Sequence, residues 1–332
     1  MGKPADLRIL IIGCGQLGSR HLQAVASLPQ VREVEVVDPR PEALELGRKR
    51  LSEIPGPPSA ACFRWLSSLE QASREGNLCI VATQAGGRCE RVKEAARTLG
   101  YRAFLLEKLV GQSIQEVEDL AGFVKERGLA AWVNLKTRCY PIHQEIKKKL
   151  DRSEPVLFSV TGGNHGLANN GIHAADLFLF YDGADRLEEA GSWIDPVLHP
   201  SKRGDGLFDL SGTLIGTTEK GGRFTLTYAP DHELSEQIVI ATRRFRCVVD
   251  HLQRWAMESS EGSGWAWKPV PFAGDLTVSR MTKGFVSEIL EKGRCGLPTL
   301  EESLAAHRFI LGILRPHFAR LLEREVELCP VT

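Results

Sequence analysis

Five residues near the start of the chain have the types and spacing of a phosphate-binding turn. They match the pattern G-x-G-x-x-G and are Gly13, Gly15, Gln16, Leu17 and Gly18. An apolar run precedes them and a helical stretch follows. In this setting the first glycine permits a tight turn, the second lets the backbone approach a diphosphate, and the third lets helix and strand pack closely. The helix would then present free N–H groups to the phosphates.

An acidic residue follows at the distance that a dinucleotide site requires. Asp38 ends the β-rich run 34–37, twenty residues after Gly18, and would accept hydrogen bonds from the hydroxyls of the adenosine ribose. A carboxylate there repels a 2′-phosphate, so the sequence favours NAD over NADP, although Arg40 could offset part of that repulsion. Two alternatives stay open, namely a turn without a ligand and a turn that binds FAD or S-adenosylmethionine.

Two further places hold residues that could transfer a proton. Lys108 follows a predicted strand at the carboxyl edge of a parallel sheet, where ligands bind and where desolvation lowers the proton affinity of a lysine. His173 and Asp176 are three residues apart in an apolar run and would share a helix face, so His173 could be a general acid/base that Asp176 orients. Alternatively, Lys108 could be an ordinary surface lysine, and His173 could be a core histidine whose hydrogen bonds are formed within the protein.

Strand and helix signals alternate around these residues up to about residue 135. Strands are predicted at 7–12, 34–37, 77–83, 102–106 and 131–135, and helices at 17–28, 41–51, 90–99 and 113–128. This alternation is typical of a parallel, doubly wound sheet. It predicts an α/β fold with an N-terminal Rossmann domain that binds NAD over residues 1–133.

The pattern changes in the rest of the chain. Alternating or β-branched runs are predicted to be strands at 155–161, 186–197, 207–217, 222–229, 236–241 and 244–250, and two helices follow at about 275–292 and 300–325. Pro316 should kink or split the second helix. We therefore expect residues 134–332 to form a second, α+β domain with a mostly antiparallel sheet.

The composition argues against several classes of partner and site. The chain has 42 Lys+Arg and 42 Asp+Glu, so no global field attracts nucleic acid or an anionic membrane. None of the eight cysteines forms a C-x-x-C pair, which argues against a zinc ribbon or a redox pair, and we expect no metal site. Several cysteines, such as Cys79 and Cys247, lie in apolar stretches, where a free cysteine behaves as a small core residue, so we expect reduced thiols in the cytoplasm. The first residues lack an apolar stretch long enough for a signal peptide or a membrane span.

The chain resembles the Gfo/Idh/MocA family, the oxidoreductases related to glucose–fructose oxidoreductase and inositol dehydrogenase, over nearly its whole length. The segments that carry the resemblance have the family's order: the fingerprint with Ser19-Arg20-His21, Ala82-Thr83, Glu107-Lys108-Leu109, Asn134…Arg138…Pro141, NNGIHAAD at 169–176 and the two late helices. The resemblance implies a cofactor site that includes Ala82, Thr83, Glu107 and Lys108. A weaker similarity, to relatives associated with nonulosonic sugar synthesis, involves GGNHGLANNGIH and the final CPVT.

Two positions depart from the family pattern. The family has Glu-Lys-Pro, in which the lysine binds the substrate hydroxyl and relays its proton, but Leu109 replaces the proline. A cis peptide bond before leucine would cost about 2.5–4 kcal/mol. Many relatives have Asp four residues before His173, where this chain has Asn169. An amide can hydrogen-bond a substrate but cannot ionise, so Asn169 is a candidate site residue with an altered role.

The polar loop before His173 and one arginine complete the set of candidates. Asn164, His165 and Asn170 could bind sugar hydroxyls, although a plain loop explains them nearly as well. Arg88 occupies a position where relatives often have His, and it could face the cofactor or an anionic substrate.

Together these features predict an NAD(H)-dependent oxidoreductase that transfers a hydride between nicotinamide and a hydroxyl or keto carbon of a sugar, sugar derivative or nucleotide sugar. Lys108 would hold the substrate oxygen, and His173 would serve as general acid/base. The resemblance implies that residues 134–332 bind substrate and that their large open sheet forms the subunit interface of a homodimer or homotetramer. Two alternatives are a catalytically silent regulator that binds NAD or a sugar, and a lyase or glycosidase that retains its NAD.

Overall fold

The computed structural model describes residues 7–54, 56, 62–230 and 232–332. The chain divides into two compact units. The described residues of the first lie within Met1–Gly111, Gln115–Asn134 and Asp275–Glu301, and those of the second within Gln112–Ile114, Leu135–Gly274 and Glu302–Thr332. The stretch Asp275–Glu301, which the sequence analysis grouped with the later part of the chain, packs with the first unit.

Strands and α-helices alternate up to Val133, except that a 3₁₀ turn, Leu69–Gln71, separates the third strand from the fourth. In chain order they are β1 (Leu7–Ile12), α1 (Gly18–Ala26), β2 (Val31–Val37), α2 (Pro41–Ser52), β3 (Cys62–Leu66), β4 (Leu78–Val81), α3 (Arg88–Thr98), β5 (Ala103–Leu106), α4 (Ile114–Glu126) and β6 (Ala130–Val133). The strands pair in parallel in the order β3-β2-β1-β4-β5-β6. This confirms the predicted doubly wound sheet. Strand β3 was not predicted from the sequence, because its mixed residues show neither alternation nor a continuous apolar run.

The remaining elements begin after this sheet. They are α5 (Pro141–Lys149), β7 (Leu157–Gly163), α6 (Leu167–Asp182), β8 (Glu188–Glu189), β9 (Trp193–Ile194), β10 (His199–Pro200), β11 (Phe208–Asp209), β12 (Gly212–Thr217), β13 (Arg223–Ala229), β14 (Gln237–Ala241), β15 (Phe245–Asp250), β16 (Trp255–Ser260), β17 (Lys268–Val270), α7 (Val278–Lys292) and α8 (Leu300–Leu321). An open sheet has the order β17-β16-β15-β14-β7-β13-β12-β8, with β9 also on β12, and β10 pairs with β11 separately. Within this open sheet, β7–β13 is the only parallel pair among the described strands, so the predicted mostly antiparallel sheet is confirmed.

Helix α6 covers the buried face of this second sheet. Residues of β12, and those of β13 from Phe224 onward, alternate between buried and half-buried, as expected of a sheet with one face in the core. A Cβ atom added to Gly171 of α6 would lie 3.2 Å from Ile310 and 3.3 Å from Leu226. The helix therefore packs closely between β13 and α8, which fixes the positions of the polar residues that it carries.

Helix α8 continues through Pro316 as one helix, so the expected split does not occur. Proline lacks the N–H group that would bind the carbonyl of Gly312. The neighbouring side chains Ile313, Leu314 and Phe318 are all buried. Packing on both sides of the proline therefore holds the two halves in one helix.

Neither a membrane span nor a metal cluster is found in the described ranges. No helix there has both the length and the apolar character needed to cross a bilayer. No group of three or more His, Cys, Asp or Glu side chains there could hold a metal ion.

The parallel sheet ends in one row of residues at its carboxyl edge. Ile12 is level with Val37 of β2 and Val81 of β4, and Val81 is level with Leu106 of β5. The next residue of each strand therefore belongs to the same row, which contains Gly13, Asp38, Ala82 and Glu107. In open α/β sheets this edge is where ligands bind.

A buried polar network fixes the end of β5. Glu107 Oε1 accepts hydrogen bonds from His21 Nε2 of α1 at 2.8 Å and from Asn134 Nδ2 after β6 at 2.6 Å. The other ring nitrogen of His21, Nδ1, lies 2.9 Å from the Thr282 hydroxyl of α7. Burial alone would raise the pKa of Glu107, but the hydrogen bonds and attraction of His21 and Asn134 outweigh it and lower that pKa to about 2. The carboxylate thus joins two strands and a helix.

The lowered pKa of Glu107 predicts a dependence of stability on pH. An acid whose pKa falls on folding contributes stability above its unfolded value and loses it as the pH falls, here from 4.5 to about 2. We expect Glu107→Gln to lower the free energy of unfolding at pH 7 by about 3 kcal/mol. The difference from wild type should shrink as the pH falls through this range. Urea unfolding at a series of pH values measures it.

The matched control is Glu126→Gln, which makes the same change at an exposed residue of α4. It should leave the unfolding curve within about 0.5 kcal/mol of wild type at every pH. A difference for Glu107→Gln that stayed constant down to the acid limit would contradict the role given to this carboxylate.

Candidate active site

Two glycines of the fingerprint are in contact with the protein's own backbone. A Cβ atom on Gly13, whose φ is +91°, would lie 2.8 Å from the Thr83 nitrogen and 2.9 Å from the carbonyl carbon of Ala82. A Cβ atom on Gly18 would lie 1.9 Å from the carbonyl oxygen of Gly13. Any side chain at either position would therefore push backbone away. Internal packing alone accounts for these two glycines.

Gly15 is different, because internal packing does not explain it. The nearest atom to a Cβ at this position would be Arg40 Nη2 at 3.6 Å, an ordinary contact with the end of a flexible side chain. Among the described residues, the backbone amides of Gly15, Gln16 and Leu17 donate no hydrogen bond. These amides precede the first turn of α1. The turn thus offers open space and free donors in one place, which suits an anionic group.

The residues around the turn hold it in shape from the α2 side. Arg50 donates to the carbonyl and to the side-chain oxygen of Gln16, and it also donates to the Ser19 hydroxyl at 2.6 Å. Gln16, predicted as a cofactor residue, is exposed, while Leu17 is half-buried. Arg50 was not predicted from the sequence, because no local pattern connects it to a turn more than thirty residues earlier.

Asp38 is a buried carboxylate that the chain itself satisfies. It accepts hydrogen bonds from the Cys14 amide at 2.8 Å and from the Arg40 amide at 3.0 Å. The Arg40 guanidinium donates to both carboxylate oxygens at 3.2 Å. Burial would raise the pKa of Asp38, but these hydrogen bonds outweigh it and lower that pKa. Asp38 is therefore ionised near neutral pH, beside a guanidinium whose side chain is 59% exposed.

Lys108 follows the buried end of β5. Lys108 is 6% exposed, and the peptide bond between Lys108 and Leu109 is cis. Arg88 supports this segment by donating to the carbonyl oxygens of Thr83, Glu107 and Leu109. The expectation that Arg88 faces a ligand is therefore wrong, because its guanidinium is buried among backbone carbonyls. A guanidinium carries five donors, enough to hold several peptide groups together.

Ala82 and Thr83, the other predicted cofactor residues, follow β4 and are half-buried. The Thr83 carbonyl accepts from Arg88, and the backbone of both residues lies against Gly13. Glu107 binds His21 and Asn134 as described above. The predicted cofactor residues of the first unit thus share the carboxyl edge of the sheet, where Asp38 and Glu107 are held by the protein's own groups.

In the second unit, α6 carries the predicted proton-transfer residues. His173 is half-buried, whereas Asp176 is 1% exposed. Arg138 donates to both carboxylate oxygens of Asp176, through Nε at 2.8 Å and through Nη2. Burial raises the pKa of Asp176 to about 6 against the opposing effect of Arg138. The partner of Asp176 is thus Arg138 and not His173, because a guanidinium matches both oxygens of a carboxylate.

Asn169 is one helical turn before His173 and is half-buried. Its side-chain amide donates to Asp209 Oδ2. Asp209 was not predicted from the sequence, because it is forty residues away in β11 and has no motif around it. In the preceding loop, the ring of His165 contacts the ring of Tyr228, with centroids 5.4 Å apart.

Each unit thus offers one kind of chemistry. The first can hold a diphosphate at a turn and present a lysine beside the same sheet edge. The second presents a histidine and an amide on one face of a buried helix, so it can exchange a proton with a polar ligand and accept hydrogen bonds from it.

No protein-family model matches the chain, and no curated protein sequence matches it. Solved structures do. UDP-N-acetylglucosamine 3-dehydrogenase GnnA from Acidithiobacillus ferrooxidans is 20% identical, with a TM-score of 0.69 over 97% of this chain and 98% of that one. KijD10, a 3-ketoreductase from Actinomadura kijaniata in complex with NADP, is 18% identical, with a TM-score of 0.68 over 92% and 96%. An Agrobacterium radiobacter oxidoreductase in complex with NAD+, L-tartaric acid and magnesium is 12% identical, with a TM-score of 0.70 over 92% and 94%. At these identities the likeness establishes the fold.

Proposed function

We propose that this protein is an NAD(H)-dependent oxidoreductase of the Gfo/Idh/MocA kind, which transfers a hydride between nicotinamide and a hydroxyl or keto carbon of a sugar derivative. The observation that carries the proposal is the space beside Gly15. Packing explains Gly13 and Gly18, but a glycine at position 15 is needed only if something outside the chain comes close to the backbone there.

The residues of the first unit fit a dinucleotide. The free amides of Gly15, Gln16 and Leu17 would hold the diphosphate at the start of α1. Asp38, ionised and fixed by the Cys14 amide, would accept hydrogen bonds from the ribose hydroxyls. When bound, the nicotinamide supplies the hydride donor or acceptor, which no amino-acid side chain provides.

Within this proposal, NAD is preferred and NADP is accepted more weakly. The charge of Asp38 repels a 2′-phosphate, but the exposed guanidinium of Arg40 lies on both oxygens of that carboxylate and offsets part of its charge. The similar solved structures support a fold that takes either cofactor, since one is a complex with NADP and another a complex with NAD+.

The proposed substrate is a nucleotide sugar that reacts at a secondary alcohol or ketone of its ring. This rests on two similar structures, a UDP-N-acetylglucosamine 3-dehydrogenase and a 3-ketoreductase that was solved with TDP-benzene and NADP. Lys108 would bind the reacting oxygen, supported by the backbone contacts of Arg88. His173 would take the proton as the alcohol is oxidised, or return it as the ketone is reduced. We also propose a cytoplasmic homodimer or homotetramer.

The proposed diphosphate site beside Gly15 can be tested by two glycine substitutions with opposite consequences. Gly15→Ala meets no close atom, so the free energy of unfolding should stay within about 1 kcal/mol of wild type. Its methyl group would occupy the space of the diphosphate, and NAD should bind at least about tenfold more weakly. Thermal unfolding and calorimetric titration with NAD measure the two effects.

Gly18→Ala is the matched control for that experiment. Its methyl group would overlap the carbonyl of Gly13, so it should destabilise the protein without ligand by about 1–3 kcal/mol. If Gly15→Ala bound NAD as tightly as wild type, no dinucleotide would lie against this turn.

The cofactor preference predicts a selective effect of Arg40. Arg40→Ala removes the cation that screens Asp38, so NADP should bind about tenfold more weakly while NAD changes by less than about threefold. Arg48→Ala, which removes the same charge from an arginine stacked over Trp65, should affect both cofactors alike. Titrations at one salt concentration measure these constants. Equal losses for NAD and NADP in Arg40→Ala would count against the screening role.

The proton-transfer roles predict a loss of turnover without a loss of cofactor. Lys108→Ala and His173→Ala should each lower kcat by at least about a hundredfold, followed by nicotinamide absorbance with a panel of UDP- and TDP-linked sugars. Lys148→Ala, at an exposed lysine of α5, should keep wild-type rates. Full turnover in both site variants would refute the assignment.

The same panel distinguishes the two alternative functions. A silent regulator would bind NAD or a sugar nucleotide without any turnover. A lyase or glycosidase that retains its cofactor would form product without net NADH.

A further inference from the structure

Asp209 places a buried carboxylate at the start of α6. Its residue is 8% exposed, and β11 pairs it with His199 of β10. Oδ1 accepts from the amides of Ala168 and Leu210, each at 2.8 Å. Oδ2 accepts from the Asn169 amide at 3.2 Å and from the Asn169 side chain. The carboxylate is therefore held from several directions.

The neighbouring chain is shaped to admit this carboxylate. A Cβ atom on Gly166, the residue before α6, would lie 1.7 Å from Asp209 Oδ2. The residue before Asp209 is fixed as well, because the Phe208 amide donates to the Pro330 carbonyl at 2.8 Å. Only glycine at position 166 lets Asp209 come this close.

Helix capping explains part of this arrangement but not all of it. The first amides of α6 need acceptors, and Asp209 supplies them to Ala168 and Asn169 through backbone groups that any residue types would provide. The bond to the Asn169 side chain is additional. It turns the amide nitrogen toward Asp209, and the carbonyl oxygen of the same planar group must then point to the opposite side.

The orientation matters because Asn169 replaces a carboxylate of the resembled family. With its nitrogen on Asp209, Asn169 presents an oxygen on its other side, as an aspartate would. Asn169 and His173 are four residues apart on α6 and share a face. An aspartate at position 169 would instead place its oxygens within hydrogen-bonding distance of Asp209, and two carboxylates so close cannot both ionise freely.

We propose that Asp209 is a positioning residue of the α6 site, and that it orients the Asn169 amide so that its oxygen accepts a hydrogen bond from the substrate or from protonated His173. In this chain the charge thus lies on Asp209 of the strand and the hydrogen-bond acceptor on Asn169 of the helix. This inference rests on the proposed oxidoreductase function.

The pair can be tested without substrate, through the pH dependence of stability. Among the described residues, Tyr228 interacts electrostatically with Asp209, and burial raises the pKa of Tyr228 well above its ordinary value, so Tyr228 stays neutral across the range used. Asn169→Asp should unfold at lower urea concentration as the pH rises above about 5, because its two carboxylates must then share a proton or separate. The exchange variant Asn169→Asp/Asp209→Asn should regain the pH profile of wild type.

Kinetics then separate positioning from capping. Asn169→Ala keeps the capping bonds to the two backbone amides but removes one donor from a buried carboxylate, so its unfolding midpoint should fall without the pH dependence of Asn169→Asp, while kcat/KM for a nucleotide sugar falls about tenfold. Asn169→Asp and Asp209→Asn should each lose about tenfold or more, with the loss in Asn169→Asp growing as the pH rises. The exchange variant should recover to within about threefold of wild type.

Asp185→Asn, at an exposed residue after α6, is the control and should match wild type in both measurements. If the losses of kcat/KM in the two single variants simply multiplied in the exchange variant, the proposal would be wrong. Recovery of the stability profile without recovery of kcat/KM would also overturn it, and would leave Asp209 as a cap. If the wild-type protein turned over no sugar in the panel, both the proposed function and the positioning role would be refuted. The unfolding curves would still test the interaction between Asp209 and Asn169.

Discussion

The structure of the first unit depends on one close approach between two backbone segments. Helix α1 begins so near the end of β1 that a single methyl group on Gly18 would lie 1.9 Å from the Gly13 carbonyl. Gly13 in turn lies against the backbone after β4, which fixes the turn relative to the neighbouring strand. Since these contacts hold the turn without help from a side chain at position 15, the amides of residues 15–17 stay free at the start of a helix, where partial positive charge accumulates.

Buried carboxylates carry out most of the remaining positioning, and each has its own set of donors. Glu107 joins α1, β5 and β6 through His21 and Asn134. Asp38 is fixed by the Cys14 amide beside the turn, and Asp176 ties α6 to Arg138. A buried charge is costly unless its lone pairs are satisfied, so these groups define where their elements can lie. Their pKa values diverge accordingly: hydrogen bonds lower that of Glu107 to about 2, whereas burial raises that of Asp176 to about 6.

The sequence predicted what depends on local pattern. The turn, the strand before it and the acidic residue after β2 follow one another within some thirty residues, and hydrophobic periodicity identified both sheets. Contacts between distant segments could not be found this way. Arg88 was expected to face a ligand but binds backbone carbonyls, and Asp176 was expected beside His173 but pairs with Arg138. Asp209 reaches Asn169 only because the fold brings β11 to the start of α6. Such partners depend on tertiary packing, which single-sequence pattern does not encode.

The central claim, that the turn after β1 binds the diphosphate of a nicotinamide dinucleotide, can be observed directly at the amides concerned. Hydrogen exchange of the wild-type protein, resolved to single residues by NMR, should be followed as NAD is added. The account predicts slowed exchange at the amides of Gly15, Gln16 and Leu17, saturating with the same dissociation constant as calorimetric titration. Exchange at these three amides that stayed unchanged at saturating NAD, or protection confined to another part of the chain, would contradict it.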